Sequence, residues 1–179
     1  RLAAKEKAAT ALEDAEQWPA ALVIYEEVLA EDMSLSFARE GKKRVVQQAA
    51  FLNAVEALLA KPDRLLDEKG FEYAKELVSE YASLELKSKA LKLKIITLEG
   101  LMVEASTPVQ LFISSDGKTS VDVYKVRRFG ELSQKILKLK PGTYTLVGHR
   151  IGYKDVRKEI YLELGSDFAE IEVVCHEEL

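Results

Sequence analysis

The stretch LKPGTYTLVGHRIGYKDVRKEIYLELG, Leu139 to Gly165, decides the fold of the second part of the chain. Two runs within it, 143–149 and 155–162, alternate between polar and apolar residues, and a Pro141-Gly142 turn precedes the first run. Alternation with a period of two is typical of a strand that buries one face. Pro-Gly is also a strong turn dipeptide. The stretch therefore predicts two neighbouring β-strands.

Similar runs lie on both sides of this stretch. The run 109–114 alternates in the same way, and Asp116-Gly117 after it predicts a hairpin turn, because this pair tolerates positive φ. A further turn is predicted at 129–131. Regular short strands between such turns are typical of an antiparallel β-sandwich. We expect six strands, at 109–114, 119–127, 133–139, 143–149, 155–162 and 168–175.

Residues 1–106 have a different composition. Every alanine except Ala169 lies among them, whereas six of the nine glycines and most of the Val, Ile and Thr residues come later. Alanine favours helices and β-branched residues favour strands. A run of helices before a run of strands indicates separate domains. We therefore predict an α+β chain, with a helical domain at 1–106 and a β-sandwich domain at 107–179.

The helical domain is expected to be an antiparallel bundle. Apolar residues recur with helical spacing from Pro19 to about Glu31, and Trp18-Pro19 separates this helix from a first one at 2–17. Two helices joined by such a short connection form an antiparallel hairpin. Further amphipathic segments complete the bundle, at 36–60, 71–82 and 86–105, with a short helical turn at 64–68.

Composition and charge exclude several classes of protein. A hydrophobic content of 47% with a formal charge of −4 excludes a disordered chain. Cys175 is the only cysteine, which excludes a disulfide scaffold. Apolar runs fall far short of the ~20 residues of a membrane-spanning helix. The acidic balance disfavours nucleic-acid binding. Because the chain begins at Arg1 rather than Met, we expect an excised or processed product, which is compatible with a preceding targeting peptide or membrane anchor.

The stretch 139–165 resembles the PEGA domain, a small bacterial β-sandwich. Its matching positions are Leu139, Pro141, Gly142, Tyr144, Gly152, Tyr153 and Ile160. The segment 140–143 occupies the turn where that family carries its name tetrapeptide. The resemblance implies an accessory or binding role without catalytic machinery. It also implies a bacterial envelope protein located outside the cytoplasm, in which any membrane anchor lies outside these residues.

The stretch AEQWPAALVIYEEVLAEDMS, Ala15 to Ser34, resembles one unit of the tetratricopeptide repeat (TPR). Ala21 and Tyr25 fall where this repeat has a small residue and an aromatic residue, and Ala30 fits a later small position. An isolated unit cannot bury its own apolar face, so the later helices are expected to complete the core. The resemblance implies a helical region that binds a protein partner.

The sequence offers little chemistry. Cys175 and His176 form the only Cys/His pair, and as neighbours on a strand they should point to opposite faces. No second pair supplies the further ligands that a metal needs. No glycine-rich phosphate loop is present. We therefore predict no catalytic residue, no metal and no cofactor.

Five residues are candidates for partner binding. Trp18 and Tyr25 are aromatic side chains of the TPR-like hairpin, and aromatic residues are common binding anchors. Arg127 and Arg128 belong to a basic cluster, and Arg150 follows the strand that begins at residue 143. With Tyr124, Phe129 and His149 nearby in the predicted sandwich, these arginines could form an edge that attracts anions.

Two functions follow from these features. The first is a non-enzymatic interaction or scaffold module that binds a protein partner through its helical region. The alternative is binding of an envelope glycan by the β-sandwich and its arginine edge. A hydrolase with an unrecognised site is a third class with little support. No nucleic-acid partner is expected.

Overall fold

The computed structural model describes residues 2–84 and 89–179. The described chain is α+β, with five α-helices followed by two β-sheets. The helices are α1 (Leu2–Asp14), α2 (Trp18–Glu31), α3 (Ser36–Leu59), α4 (Glu68–Ser83) and α5 (Lys89–Ser106), and a short 3₁₀ helix spans Pro62–Leu66. The predicted start of the last helix, at residues 86–88, lies outside the described residues.

The second part of the chain has seven strands rather than the six expected. They are β1 (Val109–Ser114), β2 (Ser120–Val123), β3 (Arg127–Glu131), β4 (Gln134–Leu139), β5 (Gly142–His149), β6 (Val156–Leu162) and β7 (Phe168–Glu172). They form a three-stranded sheet in the order β4-β1-β7 and a four-stranded sheet in the order β3-β2-β5-β6.

The chain divides into two compact units. The first comprises Arg1–Lys61 and Glu72–Glu99, and the second comprises Pro62–Phe71 and Gly100–Leu179. In the second unit the Tyr161 hydroxyl donates a hydrogen bond of 2.6 Å to Asp63, which raises the pKa of Tyr161 to about 12. That residues 107–179 fold alone stays a prediction.

The single strand predicted at 119–127 is two strands, and this prediction was wrong. β2 ends at Val123, the chain reverses, and β3 begins at Arg127, so the turn expected at 129–131 is part of a strand. The reversal depends on Lys125, which adopts a φ of 59°, and on a 3.0 Å hydrogen bond from the Val126 amide to the Val123 carbonyl. The reversal contains no glycine or proline, and other residues rarely adopt a positive φ. No local pattern in the sequence therefore predicts this turn.

The prediction of a hairpin at Asp116-Gly117 is also wrong. Gly117 has the expected positive φ of 73°. However, β1 pairs with β4 and β7, whereas β2 pairs with β3 and β5, so the loop connects the two sheets. The β1–β7 pair is parallel, which differs from the all-antiparallel arrangement expected. Parallel neighbours need a long connection, and here all of β2 to β6 lies between them in sequence.

One hydrophobic cluster includes residues of both sheets. Its members follow the alternation seen in the sequence, since every second residue of β1 is buried. The fully buried members are Val109, Leu111, Ile113, Val121, Val123, Leu146, Leu162 and Val173. Burying such a side chain stabilises the fold by about 1.5–3 kcal/mol, so this cluster accounts for much of the stability of the second unit.

The turn before β5 requires glycine. Gly142 has a φ of 142°, which side chains with a Cβ atom rarely adopt, and the position is otherwise open, with no atom within 4 Å of an added Cβ. This agrees with the positive φ that the Pro141-Gly142 pair predicts. Any cost of substitution therefore comes from the backbone rather than from a steric clash.

We expect Gly142→Val to destabilise the second unit by about 1–3 kcal/mol, because the backbone would be strained. Denaturant unfolding followed by circular dichroism measures the change. Thr143→Val, at the exposed neighbouring position, is the control and should unfold close to the parent. An unchanged midpoint for Gly142→Val would show that this turn does not constrain the chain.

A buried ionic cluster joins the first three helices. Glu13 of α1 is 5% exposed, and Arg44 of α3 donates hydrogen bonds of 2.9 and 2.8 Å to its two carboxylate oxygens. The Tyr25 hydroxyl of α2 donates to the same carboxylate. Burial and this carboxylate raise the pKa of Tyr25 to about 12. A sequence-based interpretation places Glu13 on a solvated helix surface, so this cluster was not predicted.

The Tyr25 ring lies directly against the backbone of α3. A Cβ atom added to Gly41 would stand 2.3 Å from ring atom Cζ of Tyr25, well below van der Waals contact. Gly41 therefore allows the close approach of α2 and α3. Around it lies a core of small and branched residues, Ala9, Ala21, Val28, Ala38 and Val45.

Candidate functional site

The β2–β3 turn presents a group of basic side chains. It projects from the four-stranded sheet, and the Tyr124 amide anchors it by donating a 2.9 Å hydrogen bond to the Thr145 carbonyl of β5. Lys125 lies in the turn, and Arg127 and Arg128 open β3. The tight reversal at Lys125 thus brings together residues that a continuous strand would have spread along its length.

Two aromatic rings organise these cations. Lys125 Nζ lies 5.4 Å and Arg157 Cζ lies 5.8 Å from the centroid of the Tyr124 ring. Contacts of this kind hold a cation by attraction to the negative face of the ring. Two further cations lie over the Phe129 ring, with Arg127 Cζ at 5.6 Å and Lys135 Nζ at 5.7 Å from its centroid. We call the set Lys125, Arg127, Arg128, Lys135 and Arg157 the basic rim.

Most of the basic rim is not neutralised. Arg128 Nε lies 3.6 Å from Asp122 Oδ2, but the Arg128 side chain is 91% exposed. Within residues 2–84 and 89–179, the other four rim cations form no ion pair with a carboxylate. Clustered unpaired cations produce a positive potential that attracts anions. This end of the sheet is therefore positive although the whole chain has a formal charge of −4.

A cavity of about 510 Å³ opens among these residues. Its floor includes Asp122 of β2 and Val147 of β5, which are directly paired across the two strands. Residues 123–128 and His149 complete the lining. Three rim cations, Lys125, Arg127 and Arg128, line it, so an anion entering the cavity would meet guanidinium and ammonium donors.

A second cavity of about 340 Å³ adjoins the first, and His149 lines both. Its lining is Lys118, Ser120, Glu131, His149, Arg150, Ile151 and Asp155. Arg150 already has two partners. Its Nη1 atom lies 3.1 Å from Asp116 Oδ2, and its Cζ atom lies 4.0 Å from the centroid of the Tyr153 ring. Backbone hydrogen bonds from Lys118 and Thr119, together with Arg150, lower the pKa of Asp116 to about 2.

Three residues in the second cavity are of types used in nucleophilic catalysis. Ser120 is the cross-strand partner of His149, and His149 Nδ1 lies 2.9 Å from Asp155 Oδ2. No hydrogen bond joins Ser120 to His149 in the described part of the chain. The side chains of His149 and Asp155 are 48% and 61% exposed. A nucleophilic serine needs a base within hydrogen-bonding reach that is oriented by a third group, so the arrangement is incomplete.

The structure separates the five predicted binding residues into three groups. Trp18 and Tyr25 are 8% and 2% exposed and belong to the core of the first unit, so neither presents a surface to a partner in this conformation. Arg127 and Arg128 line the first cavity. Arg150 lies in the second cavity and pairs with Asp116, so it is not part of the basic rim.

Two rim residues, Lys135 and Arg157, were not predicted. Arg157 reaches Tyr124 because it pairs with Val147 of β5, and Val147 pairs with Asp122 of β2. This convergence depends on strand register and order, which the sequence does not specify. The alternation of β6 could have predicted that Arg157 is exposed, because its neighbour Val156 packs against the core.

Other chemistry is sparse. Among residues 2–84 and 89–179, no group of three or more His, Cys, Asp or Glu side chains could hold a metal ion. Cys175 is buried and His176 is exposed, but neither lies in the strand predicted at 168–175, because β7 ends at Glu172. No helix in these ranges has both the length and the apolar character needed to cross a membrane.

Comparisons with known proteins add no assignment. No family model matches the chain, and no curated protein matches it significantly.

Proposed function

We propose that the chain is a non-enzymatic binding module of a bacterial envelope protein, and that its β part holds an anionic envelope glycan at the basic rim. The observation that carries the proposal is an open cavity of about 510 Å³ that three rim cations line, namely Lys125, Arg127 and Arg128. The other two rim cations, Lys135 and Arg157, are held by the rings of Phe129 and Tyr124. The PEGA-like stretch 139–165 supports the envelope context and a location outside the cytoplasm.

The architecture proposed for this module is a PEGA-like β-sandwich preceded by an antiparallel, TPR-like helical bundle. Two sheets that contribute to one hydrophobic cluster support the sandwich. The shared core of α1, α2 and α3 supports the bundle. Any membrane anchor would belong to a segment outside these residues.

The rim chemistry favours carboxylate or phosphate ligands. Guanidinium groups form charge-assisted hydrogen bonds to such anions, each contributing about 1.5–3 kcal/mol. Because the aromatic contacts limit the freedom of the rim side chains before binding, less entropy is lost on binding. The exposed Tyr124 ring offers an apolar face for a sugar.

A glycan fits the site better than a nucleic acid. Single-stranded nucleic acids stack successive bases on several aromatic side chains along a basic groove. Here only Tyr124 and His149, among the described residues that line the first cavity, have aromatic rings, and the floor carries the carboxylate of Asp122.

We expect Arg127→Ala/Arg128→Ala to weaken binding of hyaluronan, an acidic glycan, by at least about tenfold per arginine. Calorimetric titration of the full chain at low salt measures the affinity, and added salt should weaken it because the cations are exposed. Dextran, which is neutral, should not bind.

Lys138→Ala/Lys140→Ala is the matched control, because it removes two exposed charges elsewhere in the second unit. It should leave the affinity for hyaluronan unchanged. Equal or tighter binding of oligothymidylate would overturn the glycan assignment. Ester or glycoside turnover that is lost in His149→Ala would overturn the non-enzymatic assignment.

Protein binding by the helical region is the second candidate function. It rests on Leu93 and Ile96 of α5, which are 58% and 53% exposed and lie one turn apart on the same helix face. Neighbouring exposed apolar residues can form a patch of the kind that marks a protein interaction site. Capture of an envelope protein that requires residues 1–60 and is lost in Leu93→Glu/Ile96→Glu would support it.

A further inference from the structure

We infer that the ligand of the basic rim is an extended acidic glycan in which charged and neutral sugars alternate, with a charged sugar in the first cavity and a neutral sugar in the second. This inference rests on the proposed function. It follows from the alignment of the two cavities and from their different charges.

The two cavities follow one another along the same face of the four-stranded sheet. Asp122 and Val147 line the first cavity, and Ser120 and His149, two residues further along the same strands, line the second. Side chains two residues apart in a strand point to the same face. From Ser120 to Tyr124 the floor extends for about 13 Å, which is longer than one sugar ring.

The charged groups that line the second cavity balance one another. Arg150 pairs with Asp116, and His149 Nδ1 lies 2.9 Å from Asp155 Oδ2. The remaining two charged groups are the ammonium of Lys118 and the carboxylate of Glu131, which have opposite signs. The carboxylate of Glu131 forms no ion pair with any described cation, so it is available as an acceptor. A carboxylate accepts hydrogen bonds from sugar hydroxyls and repels a second anion. The second cavity therefore suits a neutral, hydroxyl-rich unit.

The apolar lining of the second cavity also fits a sugar. Ile151 is fully exposed at the tip of the β5–β6 loop and lines the cavity, where it offers an apolar surface to the C–H face of a ring. The hydroxyl of Ser120 can both donate and accept a hydrogen bond. Together with Glu131, these groups recognise an uncharged polyol rather than a carboxylate or a phosphate.

The test compares three defined ligands by calorimetric titration of the full chain. They are glucuronate, a hyaluronan tetrasaccharide in which charged and neutral sugars alternate, and tetragalacturonate, in which every sugar is charged. We expect the hyaluronan tetrasaccharide to bind at least about tenfold more tightly than either of the others. Equal affinity for glucuronate and the tetrasaccharide would overturn the extended site and leave the proposed function standing.

Glu131→Gln isolates the charge of the second cavity. This variant keeps the size of the side chain, so it should strengthen tetragalacturonate binding about fivefold while changing hyaluronan binding little. Glu170→Gln, at an exposed position on β7, is the control and should change neither affinity. If Glu131→Gln leaves the ratio of the two affinities unchanged, alternation is not recognised. If no acidic ligand binds the parent chain at all, the proposed function itself is wrong.

Discussion

Arg44→Met is expected to destabilise the helical unit by about 3–5 kcal/mol, because it leaves the carboxylate of Glu13 buried without its cation. Glu13 is almost completely buried and receives two hydrogen bonds from Arg44. The remaining hydrogen bond from Tyr25 cannot replace the lost positive charge. Denaturant unfolding followed by helical circular dichroism measures the loss.

Two further variants show whether the loss of stability comes from a buried unpaired charge or only from the loss of an ion pair. Lys42→Met also breaks an ion pair of α3, but the Lys42–Glu26 pair is exposed, so its loss should cost less than about 1 kcal/mol. Glu13→Gln in the Arg44→Met background removes the uncompensated charge and should recover much of the stability. A cost for Arg44→Met as small as that of Lys42→Met would contradict the buried cluster.

Gly41→Ala is expected to destabilise the same unit by about 2 kcal/mol. Its Cβ would overlap the Tyr25 ring, which is buried and held by Glu13, and overpacking of this kind costs about 1–3 kcal/mol or more. The substitution would otherwise stabilise a helix by about 1 kcal/mol, which offsets part of the loss. Thermal or denaturant unfolding measures the difference.

Gly100→Ala provides a matched control, because Gly100 also lies inside a helix but has no atom within 4 Å of an added Cβ. It should stabilise the chain by up to about 1 kcal/mol. The two substitutions should therefore differ in sign. In a Tyr25→Leu background the cost of Gly41→Ala should shrink, since the ring is gone. Equal effects at the two glycines would show that Tyr25 does not pack against α3.

Local patterns predicted most elements of the fold, except the division of 119–131 into two strands, but not how the strands pair. Helical spacing and the Trp18-Pro19 break identify α2, which begins and ends within one residue of its predicted range. Alternation identifies β1, β5 and β6 in the same way. The parallel β1–β7 pair and the loop between the sheets depend on contacts between distant residues, and no local pattern encodes them.

The candidate site was predicted in part for the same reason. Arg127 and Arg128 are adjacent in sequence, so their clustering is visible without a structure. Arg157 joins them only through the strand order β2-β5-β6. Tyr25 was a candidate for binding because an aromatic residue on an amphipathic helix can face either side. Its contacts with Glu13 and Gly41 place it in the core.

The most direct test of the proposed function is amide chemical-shift mapping of the full chain during titration with a hyaluronan tetrasaccharide. The amides that line the first cavity, at 122–128, should shift together with Val147, and His149 and the second cavity should follow. These shifts should be lost in Arg127→Ala/Arg128→Ala. Shifts confined to the helices, or no shifts at saturating ligand, would contradict glycan binding at the basic rim.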